Sequence, residues 1–159
     1  MPALELDDGT MLTQSMPILD YVCKTYKLQP EDPYTNWLGA SFTAYGFDDF
    51  FMKHIRPIIV APDDQKAALI EKAFAGGEFT KYLTTFDARL KKQGTKFLCG
   101  DSICEYDFVI GGFFPNVVLN PNSKLAEHFA KYYADAPASV KAYAADFQAE
   151  MKEYLDGRP

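Results

Sequence analysis

Along the first thirteen residues apolar and polar positions alternate and then turn. Pro2-Ala3-Leu4-Glu5-Leu6 leads into Asp7-Asp8-Gly9 and out through Thr10-Met11-Leu12-Thr13. Two short runs split by Asp-Gly predict a β-hairpin, because a type I′ turn needs positive φ at both central positions and this pair tolerates it. From Ser15 the period becomes helical. Ile18, Leu19, Val22 and Tyr26 share one face, and Ser15 is a residue type suited to capping that helix. Leu28-Gln29-Pro30-Glu31 reads as a linker. Asp32-Pro33 then predicts a long helix, with Asp as N-cap and Pro in the first turn. Its apolar stripe runs through Leu38, Phe42, Tyr45, Met52, Ile55 and Ile59, with a kink expected at Pro57.

A further helix is expected from Asp63 to Gly94, weakened or bent at Gly76-Gly77, with Leu83, Phe86 and Leu90 on its buried face. Shorter helices follow at about 105–118, 123–134 and 138–155. Val140, Tyr143, Phe147 and Met151 make the last one amphipathic. The pattern therefore predicts an α+β, mostly α chain: a β-hairpin plus one helix over 1–29, then an all-α bundle of about five helices over 30–159. A lone hairpin is marginal in water, and strand 2–6 would carry an unpaired edge. Something further is expected to pair with that edge, or the chain to be part of a larger folding unit.

Composition narrows the function classes. The 159 residues include 13 Phe and 10 Tyr, so the core should be rich in rings and intrinsic disorder is excluded. A net charge of −6 and the lack of any basic run argue against a nucleic-acid partner. The longest uncharged stretch, between Asp107 and Lys124, is broken by Gly111, Gly112, Pro115 and three Asn, so no membrane span is expected. Residues 1–5 have no basic or apolar signal-peptide region. Cys23, Cys99 and Cys104 show neither CxxC nor zinc spacing and read as buried thiols of a reducing compartment.

Candidate chemistry is sparse. Gln14-Ser15 falls where strand meets helix N-terminus, a place where free N–H groups favour a carboxylate or phosphate. Ser15 as a simple cap with Gln14 in solvent is the other reading. Asp49, next to Asp48, steps onto the Tyr45/Met52 face of its helix. A carboxylate there must be paired or aimed into a polar site, unless the face is a solvated edge. Cys104 and Asp107 suit the N-cap and N3 positions of a capping box, with Ile103 and Phe108 as its hydrophobic staple, so Asp107 is assigned a structural role. His54 and His128 have no partner at metal-ligand spacing and no metal site is expected. Cys99 or Cys104 could act as a nucleophile only with an activating neighbour, and the sequence shows none.

The combination of Met1-Pro2-Ala3-Leu4-Glu5, Asp8-Gly9, Gln14-Ser15 and Ile18-Leu19-Asp20-Tyr21 resembles the third and fourth strands and third helix of cytosolic glutathione transferases. Phe97 to Phe108 is similar to the start of that family's sixth helix, and Lys152 to Leu155 with Arg158-Pro159 to its C-terminal end. The nearest classes are sigma, mu, pi or alpha. The resemblance implies a partial thioredoxin-like, glutathione-binding domain at 1–29. It also implies a cis bond before Pro2, a main-chain contact from Met1 to the cysteinyl part of glutathione, and γ-glutamyl recognition by Gln14 and Ser15. Asp49, with Asp48 as the alternative, would reach the partner's γ-glutamyl amine across a homodimer. Tyr45 and Met52 are its candidates for the electrophile site.

Two departures stand out. Cys104 replaces the usual Ser or Thr, and the family's first strand, first helix and second strand have no counterpart. The missing part carries the hydroxyl that stabilises the glutathione thiolate. The implied activity is conjugation of glutathione, a co-substrate rather than a cofactor, to small electrophiles in detoxification once that part is present. The chain alone should be inactive or feeble, with no catalytic residue assignable. A non-catalytic subunit of a larger assembly, completed by β-augmentation, is the alternative.

Overall fold

The structure, a computed structural model, describes residues 2–158. Strands β1 (Ala3–Glu5) and β2 (Met11–Thr13) pair antiparallel, with Leu4 opposite Leu12. The turn is not type I′. Gly9 alone has positive φ (84°), its N–H donates to the Leu6 carbonyl (2.9 Å), and the Asp8 side chain accepts from the Thr10 N–H (2.8 Å). These bonds define a type I turn closed by a left-handed glycine, which asks positive φ of one residue instead of two.

Helix α1 (Ser15–Thr25) packs on the hairpin. Asp32 then caps α2 (Pro33–Thr43), its carboxylate accepting from the Thr35 N–H at 2.7 Å and the Thr35 hydroxyl at 2.8 Å. These bonds hold the Asp32 pKa below its ordinary 3.8. A lowered folded-state pKa contributes stability above the unfolded pKa and loses it as pH falls through the folded value. Asp32→Ala is thus expected to lower the thermal midpoint at neutral pH. The gap to the parent should close as the pH is taken below the carboxylate range, which paired thermal scans would show.

After Thr43 the helix does not simply kink at Pro57. It widens into a π-helix over Ala44–Ile55 and returns to α geometry in α3 (Arg56–Val60). Buried positions step through Phe42, Gly46, Phe50 and Ile55, a stride that lengthens as i→i+5 bonding replaces i→i+4. Asp48 and Asp49 are consequently exposed, and the apolar stripe expected to carry Asp49 runs elsewhere.

The single helix expected over 63–94 is two, α4 (Asp63–Ala73) and α5 (Glu78–Gln93), broken where Gly77 takes a φ of 88°. Helix α6 (Glu105–Phe113) runs into a second π-helical turn, Phe114–Val118. Helices α7 (Ala126–Tyr133), α8 (Ala138–Glu150) and α9 (Lys152–Asp156) complete the bundle.

The core is a continuous cluster of rings. Phe50 stacks on Tyr82 at 4.4 Å, Phe86 meets Tyr143 edge-on at 4.9 Å, and Phe74 and Phe79 each meet Phe129 at 5.1 Å. His54 stacks on Phe50 and His128 on Phe74, so both imidazoles serve as packing surfaces. Among the described residues no group of three or more His, Cys, Asp or Glu could hold a metal, and no helix is long and apolar enough to cross a membrane.

Candidate functional site

β2 ends at Thr13 and α1 begins at Ser15, so Gln14 must turn strand into helix in one step. It does so at φ 72°, ψ 128°. A non-glycine residue held at positive φ outside a glycine turn costs on the order of 1–3 kcal/mol, and such residues cluster at functional sites. Ser15 is the first helical residue and not the cap; Gln14 occupies the cap position, and no side chain caps α1. Both residues are exposed. The first N–H groups of any helix lack intrahelical acceptors. With Pro17 third in α1, Ser15 and Met16 carry those donors. Met1, and with it the peptide bond ahead of Pro2, lies outside the described residues.

Asp49 is ion-paired to Lys53 one turn on. It rides, with Tyr45 and Met52, on the π-helical segment, which packs against α2 to α6, whereas α1 packs on the hairpin and α6. One copy of the chain therefore does not gather Gln14, Ser15 and Asp49 into a single cluster. Tyr45 donates to the Thr85 hydroxyl at 3.2 Å. The apolar cavity of the bundle, ≈ 200 Å³, opens between the π-helical segment and α6 and is lined by Phe47, Phe51, Phe108, Phe113 and Asn116, among others, but by neither Tyr45 nor Met52. Phe47 stacks on Phe51 at 5.5 Å and Phe51 meets Phe113 at 5.8 Å. The i, i+4 ring pair Phe47/Phe51 was the local signal for this cavity, and it lies off the Leu38/Phe42/Tyr45/Met52 stripe that the sequence marks as buried.

The start of α6 is densely hydrogen-bonded. Asp107 is fully buried. One carboxylate oxygen accepts the Cys104 N–H at 3.0 Å, completing the capping box, and the other accepts the Leu98 N–H at 3.1 Å and the Tyr143 hydroxyl at 2.8 Å. Burial and the neighbouring Asp107 charge push the Tyr143 pKa well up, which keeps the phenol a donor. Next to it Glu105 is 6% exposed and accepts from the Gln29 amide, which also donates to Asp20 of α1 at 2.8 Å. Glu105 N–H in turn donates to the Leu28 carbonyl at 2.9 Å. This bridge, tying hairpin-side helix to bundle, escaped sequence reasoning because nothing in Gln29 or Glu105 marks a partner across the fold.

Cys23 and Cys104 are buried as expected. Cys99 is only half-buried. Burial and the nearby Glu105 and Asp20 charges raise the Cys23 thiol to about 11.

A hairpin and helix docked on an all-α bundle with a capped, buried sixth-helix start define the class of protein. The pattern of the family described as "Glutathione S-transferase, C-terminal domain" matches residues 48–157. The chain belongs to the cytosolic glutathione transferase family. Glutathione S-transferase A of Cavia porcellus is 26% identical over 110 residues, 69% of this chain and 49% of its own length. Glutathione S-transferase alpha-1 of Rattus norvegicus is 30% identical over 109 residues, 67% of this chain and 46% of its own length. The chain thus spans about half the length of the curated relatives it matches. The glutathione S-transferase of Ascaris lumbricoides shares the fold, with a TM-score of 0.78 at 22% identity over 100% of this chain and 74% of that one.

Proposed function

We propose that this chain binds the γ-glutamyl end of glutathione at the Gln14–Ser15 junction and contributes to the transfer of glutathione to small electrophiles. The observation that carries the reading is the backbone of Gln14. Its positive φ turns the chain so that the uncapped N-terminus of α1 follows at once, with Ser15 adding a hydroxyl to the main-chain donors. Such an array suits an α-carboxylate, favoured further by the helix dipole. Asp49, exposed and remote from Gln14 in the same chain, supports service in the site of a second copy across a homodimer. The cavity beside Phe47 and Phe51 is an apolar space next to the bundle where an electrophile would sit.

The thiolate-stabilising group is proposed to come from a segment or subunit that pairs with the outer edge of β1, which has no strand partner among the described residues. Catalysis would then consist of lowering the thiol pKa and holding two reactants together. Three free cysteines support a reducing compartment.

Calorimetric titration of glutathione into this chain tests the reading. Ser15→Ala is expected to weaken binding roughly ten- to hundredfold, the worth of one hydrogen bond to a charged group at about 1.5–3 kcal/mol. Failure of the parent chain to bind glutathione, or indifference to Ser15→Ala, would overturn it.

A further inference from the structure

The cavity beside Phe47 and Phe51 is walled by rings, yet a polar group sits at its buried end. Tyr82 of α5 lines the cavity and is only 1% exposed. Its ring is held by the core, stacked on Phe50 at 4.4 Å and edge-on to Phe113 at 6.2 Å. Among the described residues nothing hydrogen-bonds its hydroxyl. Two neighbouring phenols are engaged: Tyr45 donates to Thr85 at 3.2 Å and Tyr143 to Asp107 at 2.8 Å.

The oxygen is uncovered because residue 46 is a glycine. A Cβ there would lie 3.5 Å from the Tyr82 oxygen and 2.6 Å from Ile110 Cδ1, and Gly46 lines the same cavity. Burial, with Tyr45 beside it, pushes the Tyr82 pKa up, so the phenol stays protonated and offers an O–H donor. A second polar side chain lines the cavity at its exposed rim. Asn116 Oδ1 accepts from the Arg158 guanidinium, which can only donate, so the amide has its N–H groups to spare. Both polar side chains therefore offer donors. Ligand sites combine an apolar lining with a few placed polar groups, and a buried group without a partner calls for one.

We infer that this cavity takes flat aromatic molecules bearing a carbonyl oxygen, with the Tyr82 O–H as the donor that selects them. Phe47, Phe51 and Phe113 present ring faces and edges to a flat ligand, and Tyr82 meets its acceptor. The inference rests on the reading of this cavity as the electrophile's place, and it narrows that electrophile to an aromatic carbonyl compound.

The test uses two unreactive probes of nearly equal shape, acetophenone and α-methylstyrene, in which C=CH2 replaces C=O. Each is titrated into the parent chain and into Tyr82→Phe, with binding followed by ligand-observed NMR. Tyr82→Phe should weaken acetophenone roughly threefold to tenfold, the worth of one neutral hydrogen bond, and should not weaken α-methylstyrene. The infrared carbonyl band of bound acetophenone should lie lower in the parent than in Tyr82→Phe. The variant keeps the ring stack and loses a hydroxyl without a partner, so its thermal midpoint should be no lower than the parent's. Equal weakening of both probes, an unshifted band, no binding of either probe, or a lower midpoint in the variant would overturn the inference. Glutathione is absent throughout, so the outcome is separate from the Gln14–Ser15 titration. Failure of that titration with the ketone effect intact sinks the glutathione site alone, and the reverse sinks only this inference.

Discussion

Asp107→Ala should cost about 3–5 kcal/mol, the largest loss expected from truncating any one polar side chain of this protein. The carboxylate is fully buried and accepts from the Leu98 N–H, the Cys104 N–H and the Tyr143 hydroxyl. Each hydrogen bond to a charged acceptor is worth about 1.5–3 kcal/mol, and removing the acceptor strands donors that have no water to turn to. The three losses will not add fully, because they share one site. The expected signature in urea is a lower midpoint at unchanged slope. Asp107→Asn should recover part of the loss, since one oxygen remains to accept while the new amide faces donors. An Ala variant within about 1 kcal/mol of the parent would show that the α6 start is not organised by this residue.

Gly111→Ala and Gly112→Ala, adjacent in α6, are expected to act with opposite signs. A Cβ on Gly111 would lie 2.3 Å from Cδ2 and 2.6 Å from Cγ of Phe147, atoms near the root of a ring that is itself buried in α8. Phe147 cannot swing away, so α6 and α8 must separate. Overpacking of this kind costs about 1–3 kcal/mol, and here it exceeds the gain of about 1 kcal/mol from replacing a helical glycine. A net loss of about 2 kcal/mol is expected at the upper end of the overpacking range. At Gly112 the nearest atom is Asn116 Nδ2 at 3.7 Å, an ordinary contact, so the propensity gain should survive as a stabilisation of about 0.5–1 kcal/mol. Thermal midpoints of the two single variants decide the matter. Equal shifts would mean that the α6–α8 contact is looser than the structure shows.

Both predictions fall in α6, whose start and whose packing were unequally legible in the sequence. The capping box was legible because Cys104, Asp107, Ile103 and Phe108 obey a spacing rule that any helix start obeys. That Tyr143, on α8, supplies a donor to Asp107 was not legible, because a pairing across 36 positions leaves no periodic trace. The same holds for Gln29, whose amide joins Asp20 to Glu105.

Local chemistry alone determined the hairpin, the Asp32-Pro33 helix start, a weak point at Gly76-Gly77, the helix end at Gly94, and the division into a small mixed part and a helical bundle. Each follows from backbone sterics, capping or period within a few residues. Only tertiary packing decided that the second helix widens into π geometry, which turns Asp49 outward and opens the apolar cavity beside Phe47 and Phe51. The difference is physical: propensities and caps act over one or two turns, whereas burial and close approach depend on which distant surface arrives.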